Sequence, residues 1–391
     1  MRNVNEENSP YILFCAGEDS GDVIGAEMVD YVVQHGFKAI GTGGPLMQEK
    51  GLLPLWDYNE LPVSGVGDVV PKVFSLKKVF EVVSDAAESN KCLAIIAIDY
   101  PGFNMKLARL AKKWGKPMLY VAPPQVWAWK SKRANIFKQA DKIRLAVFFD
   151  IEAKAYKQLN CETLRLKHPV MNWNPRFVER KSDMLLLPGS RRASALRNLP
   201  AFIAVAEKYR NTWAERNVGP LPDVIVIASR ECLEVPLIVS LEKLFEGRLP
   251  TWLKVVVAPK HIGMRLDFYS QYSAALTSFG TSTLEMACVG VPFAACVVPD
   301  LLTFVMGRIM VKSEYLSLPN AILGCGVAPE YIVQNKLNAR MVQSIVDSIF
   351  QQSIESASEV AYRLRRALCA GKSSEELVSE FLAEFVQSQA H

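Results

Sequence analysis

Histidine is scarce in this sequence, and several common functional signatures are missing. Only four of the 391 residues are histidines, and none has a neighbouring histidine or acid at metal-ligand spacing, so no metal site is predicted. The eight cysteines form no CxxC pair, and most lie in apolar runs, as reduced thiols of a cytosolic protein do. The 45 basic and 40 acidic residues leave a net charge of only +5. So small an excess gives no indication of a nucleic-acid partner.

Long uninterrupted apolar runs are also missing. The N-terminal MRNVNEENSP contains none, which argues against a secretory signal. Residues 286–299 are uncharged, but Pro292 and Pro299 interrupt the segment, whereas a membrane-spanning helix needs about 20 uninterrupted apolar residues. We predict a helix end, a buried strand, a loop and a second helix there. Half of all residues are apolar and 22% are charged, so we expect large cores.

Short apolar runs alternate with helical patterns, which predicts parallel strands covered by helices. The candidate strands of the first half are 11–17, 38–43, 93–99, 118–123, 145–149 and 163–167. Those of the second half are 184–189, 223–229, 254–259, 274–278 and 292–298. The expected fold class is therefore α/β, with two Rossmann-like doubly wound parallel-sheet domains facing a cleft. Ligands bind such sheets beyond the carboxyl ends of the strands.

A linker is predicted where the apolar rhythm stops, in HPVMNWNPRFVERKSD. Two prolines and mixed charges there place the domain boundary near residues 172–182. After about residue 338 the pattern is helical. We expect an N-terminal domain, a C-terminal domain and a set of terminal helices. Their bounds are 9–175, 182–345 and 346–391.

The segment AGEDSGD follows the first candidate strand. Gly21 and the glycine before Glu18 permit a tight turn and close approach of a ligand, and the acid at a strand end favours a polar ligand. The segment is not a GxGxxG string, so no dinucleotide site is predicted. An ordinary turn is the alternative, with Ser20 or Asp22 capping a helix that begins near Val23.

Asp99 ends the apolar run LAIIAI. A carboxylate there is costly to bury unless it is hydrogen-bonded, and burial raises its pKa, which suits a general base. The alternative is a turn or cap aspartate before Pro101.

Two strand ends of the second half suggest a diphosphate site. Arg191 follows the turn of LLLPGSR and can clamp a phosphate at a helix start, although a solvated arginine is the alternative. In TSFGTSTLEM, Gly280, Thr281 and Ser282 open a helix whose N-terminus suits a pyrophosphate. Glu285 follows one turn later, where a ribose diol could bond to it.

Several other residues are weaker candidates. Trp127 and Trp129 follow a strand end, where sugars and bases could stack on their rings, but packing under the next helix explains them equally well. Asn320 and Gln334 are polar groups in the largely apolar segment 312–334, where we expect no regular helix. Both are predicted to face the cleft.

An apolar stripe at helical spacing runs through residues 69–83, beside three lysines. A core-facing helix explains such a stripe, and a basic-rimmed surface that contacts anionic lipid is the alternative. The candidate lipid contacts are Val69, Val73, Phe74, Leu76 and Phe80.

Taken together, these strings resemble the lipid-A-disaccharide synthase family of inverting glycosyltransferases. The motifs AGEDSGD, IDYPGFN, PPQVWAWKSKR, LLPGSR, SFGTSTLEM and KSEYLSLPN occur in the family's order, and the resemblance covers about residues 11–385. It implies the glycosyltransferase B fold. It also implies transfer of 2,3-diacylglucosamine from its UDP derivative to 2,3-diacylglucosamine 1-phosphate. The products are the beta-1,6-linked lipid A disaccharide 1-phosphate and UDP.

The resemblance also implies residue roles. Asp99 would deprotonate the acceptor hydroxyl, while Arg191 and the helix start at 280–282 would hold the UDP pyrophosphate without a metal or other cofactor. Glu285 would bind the ribose. Further cleft positions are Glu18, Asn320 and Gln334.

A location and partners follow from the same resemblance. The stripe at 69–83 falls where the family has a membrane- and acyl-chain-binding surface, so it favours lipid contact there. The expected protein is cytoplasmic and peripheral on the inner membrane, without a nucleic-acid partner, and could form a homodimer. Its terminal helices would pack back on the N-terminal domain or exchange between chains.

Some positions depart from the family pattern. Ser194 stands where an acid is usual, and Lys167 stands where a glycine commonly precedes the His-Pro pair. Two alternatives stay open, the first because a fold does not determine a function and the second because of these departures. One is another UDP-sugar enzyme on the same fold, an epimerase or a hydrolase. The other is a non-catalytic lipid-binding relative.

Overall fold

The chain forms two compact units, each with its own sheet. Unit 1 comprises Met1–Pro169 and Leu368–His391, and unit 2 comprises Val170–Ala367. The computed structural model describes 9–58, 69–127, 131–175, 179–216, 219–300, 314–333 and 337–386, with side chains at 69–75 and 131 left out.

Strands and helices alternate along the described chain. The strands are β1 (Tyr11–Cys15), β2 (Lys38–Thr42), β3 (Leu53–Pro54), β4 (Cys92–Ile98), β5 (Met118–Val121), β6 (Ile143–Val147), β7 (Leu164–Arg165), β8 (Lys181–Leu187), β9 (Val224–Ala228), β10 (Leu253–Val257), β11 (Tyr272–Thr277), β12 (Phe293–Val297) and β13 (Glu330–Ile332). The helices are α1 (Asp19–Gln34), α2 (Pro45–Glu49), α3 (Val69–Glu88), α4 (Pro101–Trp114), α5 (Asp150–Gln158), α6 (Arg192–Arg216), α7 (Glu231–Leu244), α8 (Ile262–Tyr269), α9 (Thr281–Cys288), α10 (Leu318–Leu323), α11 (Ala339–Phe350), α12 (Ile354–Leu368) and α13 (Ser374–Phe385). Short 3₁₀ helices cover Ser131–Ile136 and Pro169–Asn172.

The unit 1 sheet is parallel, in the order β3-β2-β1-β4-β5-β6-β7. Its central strands are apolar on both faces because helices cover both sides. In β4, the residues from Ala94 to Ile98 are completely buried. The chain order reverses between β1 and β4, so their carboxyl ends flank the switch point where ligands bind such sheets.

The unit 2 sheet repeats this design, in the order β10-β9-β8-β11-β12-β13. All its described pairings are parallel. Its core includes Leu186 on β8 and Leu276 on β11, both fully buried. The switch point of this sheet lies between β8 and β11.

The structure confirms the predicted fold class of two doubly wound parallel sheets. Every strand predicted from the sequence is present, while the very short β3 and β13 were not predicted. The expectation of an irregular segment over 312–334 was wrong in part. There α10 begins after Ser317 with a proline in its first turn, a position that proline favours.

The division into units differs from the expected boundaries. Trp173 lies in unit 2, where its indole N–H donates to Asp267 at 2.8 Å and its carbonyl accepts from Arg365 at 3.0 Å. At the other end, α11 and nearly all of α12 lie in unit 2. α13 returns to unit 1 and packs on α1, where Ser374 donates to Glu27 at 2.8 Å.

The described part of α3 faces the core of unit 1. Val79 and Val83 are buried, and Leu76 and Phe80 pack against the same core. The Phe80 ring also contacts Phe103 edge-on, at a centroid distance of 5.1 Å. Leu76 and Phe80 therefore pack partly against the core, and their contact with lipid stays a prediction. The side chains of Val69, Val73 and Phe74 lie outside the described residues.

None of the helices in the described ranges is both long enough and apolar enough to span a bilayer.

Candidate functional site

Asp99 follows β4 directly, at the switch point of the unit 1 sheet. Both Asp99 and Tyr100 have left-handed backbone angles, with φ of 48° and 49°. Residues other than glycine rarely adopt this backbone conformation, which costs on the order of 1 kcal/mol or more for each residue. The Asp99 N–H donates to the carbonyl of Val121, at the end of neighbouring β5, at 2.9 Å. The strand end is thus bent sharply at a position that the sequence marked as a candidate base.

Two buried side chains hold the carbonyl of Asp99. The Asn104 amide nitrogen donates to it at 2.8 Å, and the Tyr120 hydroxyl donates to it at 3.1 Å. Burial raises the pKa of Tyr120 well above its ordinary value, so the hydroxyl keeps its proton and remains a donor.

The first turn of α1 borders the Asp99 carboxylate. The Ser20 hydroxyl donates to Asp99 Oδ2 at 3.3 Å. Glu18 is the N-cap residue of α1 and is half-buried. A Cβ added at Gly21 would lie 3.2 Å from the Cβ of Ala16 and 3.6 Å from the carbonyl of Ile98, so the start of α1 lies close to the ends of β1 and β4. Glu18, Ser20 and Asp99 therefore belong to the same end of the unit 1 sheet.

The α1 cap prediction was wrong. The helix begins at Asp19, before Ser20, rather than near Val23. Asp22 instead caps α2, because its carboxylate accepts from the backbone N–H groups of Leu46 and Met47 at 3.0 and 2.9 Å.

Gly17 is required by the ring of Tyr100. A Cβ added at Gly17 would lie 2.5 Å from that ring, which is far inside van der Waals contact. The ring also stacks on Phe103, at a centroid distance of 5.4 Å. The turn after β1 and the turn after β4 are therefore packed directly against each other.

A second carboxylate, Glu152, is buried near Asp99. Its carboxylate accepts from the N–H groups of Phe148 and Phe149, both at 3.1 Å. Burial raises the pKa of Glu152 to about 7, and the nearby Asp99 raises it slightly, while the two N–H donors and Arg165 oppose the shift. His168 packs on the same two phenylalanines, and burial lowers the pKa of its imidazole to about 4.

Two helix N-termini meet at the switch point of the unit 2 sheet. The turn after β8 contains Gly189, with φ of 128°, and the turn after β11 ends at Gly280, with φ of 144°. A Cβ added at Gly189 would lie 3.2 Å from the Ser278 hydroxyl, so the two turns are adjacent. The first N–H groups of a helix have no partners within it and attract anions. The start of α6 and the start of α9 thus form one candidate anion site.

The hydroxyls at the start of α9 shape its turn. Thr277 donates to the Ser282 hydroxyl at 2.7 Å, and Ser282 donates to the carbonyl of Ser278 at 3.2 Å. Thr283 donates to the carbonyl of Gly280 at 2.7 Å. These bonds fix the orientation of the backbone N–H groups. Arg191, immediately before α6, is exposed beside this site.

The buried amide of Asn198 connects two strand-end loops of unit 2. Its nitrogen donates to the carbonyl of Pro188 at 2.7 Å, and its oxygen accepts from the N–H of Val298 at 2.8 Å. The position of the turn before α6 is therefore tied to the end of β12.

Glu285 is held by a cation that the sequence did not indicate. Arg265 Nη2 and Nε donate to its two carboxylate oxygens at 2.8 and 3.3 Å. The same guanidinium donates to the carbonyl of Pro259 at 3.2 Å. Glu285 therefore links α9 to α8, about one turn after the start of α9.

Asn320 is bonded entirely within its own loop. Its amide nitrogen donates to the Ala328 carbonyl at 2.8 Å and to Glu330 at 2.7 Å. Its oxygen accepts from the N–H groups of Val327 and Ala328. Gln334 and Trp129 lie outside the described residues, and Trp127 is half-buried.

In the described segments, no three histidine, cysteine or acidic side chains are grouped as metal ligands.

Comparison with protein families gives a match over residues 12–384, to the model described as lipid-A-disaccharide synthetase. The chain belongs to this family. The lipid-A-disaccharide synthase of Granulibacter bethesdensis is 29% identical to it over 84% of this chain and 83% of that protein. The chain is therefore a glycosyltransferase that forms the lipid A disaccharide, and the expectation based on sequence motifs is confirmed.

Solved structures share the fold at low sequence identity. The S. aureus protein MnaA, solved with UDP, has a TM-score of 0.60 at 9% identity and covers 97% of each chain. The glycotransferase of kitacinnamycin has a TM-score of 0.57 at 12% identity and covers 97% of this chain and 100% of that one. The two-sheet architecture is accordingly that of the glycosyltransferase B fold.

Sequence reasoning missed four of the residues that organise these sites. Asn104 follows Asp99 by five positions in IDYPGFN, so a buried amide next to a strand end was a usable signal. Asn198 and Arg265 gave no such signal, because Val298 and Glu285 are distant from them in sequence. The hydrogen bonds of Glu152 are local, but its burial near Asp99 could not be read from the sequence.

Proposed function

We propose that Asp99 is the general base of the family reaction in this chain. The carboxylate takes the proton of the acceptor hydroxyl on 2,3-diacylglucosamine 1-phosphate. The acceptor oxygen then forms a bond to the anomeric carbon of UDP-2,3-diacylglucosamine, and the bond from that carbon to the diphosphate oxygen breaks. UDP leaves with the electron pair, and the anomeric configuration inverts in a single displacement. A positioned base of this kind contributes on the order of 100-fold or more to turnover.

Unit 2 holds the leaving group in this proposal. The starts of α6 and α9 offer backbone N–H groups and the positive ends of two helix dipoles to the diphosphate. Arg191 is exposed beside them and adds a full positive charge. These groups offset the negative charge that develops on UDP as the glycosidic bond breaks.

The observation that carries the proposal is the position of Asp99. It lies at the switch point of the unit 1 sheet, half-buried, with the Ser20 hydroxyl on one carboxylate oxygen. Glu18, on the neighbouring strand end, is proposed as a substrate-binding residue, and Glu285 is proposed to bind the ribose of UDP. Asn320 holds the segment between α10 and β13 through its hydrogen bonds. Gln334 is proposed as a substrate-binding residue of the cleft, as the resemblance implies.

The decisive experiment compares Asp99→Ala and Asp99→Asn with the unchanged protein. The assay supplies both lipid substrates and identifies the disaccharide by mass spectrometry. We expect turnover to fall at least about 100-fold in both variants, with circular dichroism unchanged. Near-normal turnover in Asp99→Asn would contradict the assignment. UDP release without acceptor lipid would instead favour hydrolysis or epimerisation.

Membrane contact is a separate proposal for the start of α3. Its sequence combines Val69, Val73 and Phe74 with Lys72, and two further lysines at 77 and 78 are exposed. Such a surface binds anionic headgroups while its apolar residues enter the interface. Changing Val69, Val73 and Phe74 to serine should reduce sedimentation with phosphatidylglycerol vesicles. The matched control, Val82→Ser, changes an exposed apolar residue later in the same helix. Equal loss in both would argue against a localised contact.

A further inference from the structure

The bend that presents Asp99 needs support from elsewhere in unit 1. Two consecutive residues other than glycine adopt left-handed angles there, and such strain persists only where surrounding contacts determine the conformation. The N–H of Asp99 donates to the carbonyl of Val121 on β5, and the Asp99 carbonyl accepts from two side chains. The side chains that donate to that carbonyl oxygen therefore help to determine where the carboxylate lies.

Asn104 supplies the main donor at this point. It is completely buried on the first turns of α4. Its amide nitrogen lies 2.8 Å from the carbonyl oxygen of Asp99, 3.2 Å from that of Ile98 and 3.1 Å from that of Cys15. One side chain thus ties the end of β1 to the end of β4, on both sides of the switch point.

The amide oxygen of Asn104 makes no hydrogen bond to the described residues in this arrangement, although that atom is buried. An unsatisfied buried acceptor destabilises the folded protein, and an apolar side chain of the same size would avoid that loss. The three surrounding carbonyl oxygens explain why an amide occupies this buried position, because they accept hydrogen bonds and need a donor.

Tyr120 supports the same carbonyl from β5, at 3.1 Å. The two donors approach from different elements, so together they fix the direction of the Asp99 peptide plane. We propose that Asn104, assisted by Tyr120, is a positioning residue that sets the reactive geometry of the Asp99 carboxylate. The inference rests on the proposed role of Asp99 as the base.

The test is a double-mutant cycle between Asn104 and Asp99, with single-turnover and steady-state kinetics on the full chain. Asn104→Ala should lower kcat about 10- to 100-fold, since a displacement of about 1 Å can have that effect. The KM for the UDP donor should stay unchanged. In an Asp99→Ala background, Asn104→Ala should lower the residual kcat no further, because its effect passes through the carboxylate.

Tyr120→Phe is the second variant, because it removes one hydroxyl and keeps the ring that packs in the core. We expect a smaller fall in kcat, about threefold to tenfold, with the fold intact by circular dichroism. Thr212→Ala is the control, since it truncates a buried polar side chain of unit 2 near the C-terminal end of α6. It should leave both kcat and the donor KM nearly unchanged.

The outcomes separate the two assignments. Normal turnover in Asp99→Ala would overturn the general base itself. A large effect of Asp99→Ala with normal kcat in both Asn104→Ala and Tyr120→Phe would overturn only the positioning role. An equal loss from Asn104→Ala with and without Asp99 would also overturn it, because the amide would then act on the fold alone.

Discussion

The guanidinium of Arg265 donates to both carboxylate oxygens of Glu285, at 2.8 and 3.3 Å. Both side chains are largely buried, with 16% and 11% of their surface exposed. Replacing Arg265 by methionine leaves this carboxylate without its cation. We expect the free energy of unfolding to fall by about 3 kcal/mol, measured by urea denaturation.

A double variant tests the cause of that loss. Changing Arg265→Met together with Glu285→Leu removes both charges, and most of the lost stability should return. If the double variant is as unstable as Arg265→Met, the ion pair is not what stabilises this region. The double variant should also show a raised KM for the UDP donor, because the proposed ribose ligand is gone.

Gly17→Ala should slow the reaction without contact with either substrate. The new Cβ would lie 2.5 Å from the Tyr100 ring, so the ring must move, and we expect the strained backbone at Asp99 to move with it. We expect kcat to fall about 10- to 100-fold in the steady-state assay. The control is Gly102→Ala, where a Cβ meets nothing within 4 Å. Equal kcat values for the two variants would contradict this prediction.

Asn198→Ala should weaken binding of the UDP donor. It frees the carbonyl of Pro188 and the N–H of Val298, so the turn before α6 loses its attachment to β12. We expect the KM for the donor to rise about tenfold, equal to about 1.4 kcal/mol of binding free energy. Titration calorimetry with UDP alone provides the check. An unchanged UDP affinity would show that the turn does not need this bridge.

Glu152 and His168 should make opposite contributions to the pH dependence of stability. Burial raises the pKa of Glu152 from 4.5 to about 7. Its contribution is therefore fully present below pH 4.5 and lost as the pH rises through about 7. Burial lowers the pKa of His168 from 6.5 to about 4, so its contribution is present above pH 6.5 and lost as the pH falls.

The two contributions overlap and offset each other in the unchanged protein, so single variants should reveal them. Glu152→Gln keeps an acceptor for the two N–H groups, and its Tm relative to the unchanged protein should increase from about pH 5 to about pH 8. The Tm of His168→Phe relative to the unchanged protein should instead increase as the pH falls, and it should be largest near about pH 5. Differential scanning fluorimetry across this range measures both. Parallel Tm curves for all three proteins would contradict the assignment.

Much of the fold could be predicted from local sequence. Runs such as LAIIAI are apolar at every position, which is typical of a strand covered on both faces. The very short β3 and β13 gave no comparable signal, since two or three residues establish no periodicity. The same limit applies to Leu76 and Phe80. Their spacing predicts a helix, but it does not distinguish a core-facing stripe from a lipid-facing one.

The candidate site likewise contains some residues that the sequence could indicate and others that it could not. Asp99, Gly189 and Gly280 could be found because each follows an apolar run and begins a turn. The Arg265 contact to Glu285 could not be found, because α8 and α9 become neighbours only through the sheet. Asp22 illustrates the point, since the sequence suggests a cap for its own helix and the structure uses it to cap α2.

By itself, the sequence determined the order of strands and helices, the polar residues at the strand ends and the family to which the chain belongs. These properties depend on neighbours along the chain, so a linear pattern contains them. Only the tertiary structure decided which buried donors hold Asp99, which cation neutralises Glu285 and which residues in the later part of α3 are buried in the core of unit 1. Those outcomes depend on atoms that packing brings together from distant parts of the chain, and burial makes each such partner energetically necessary.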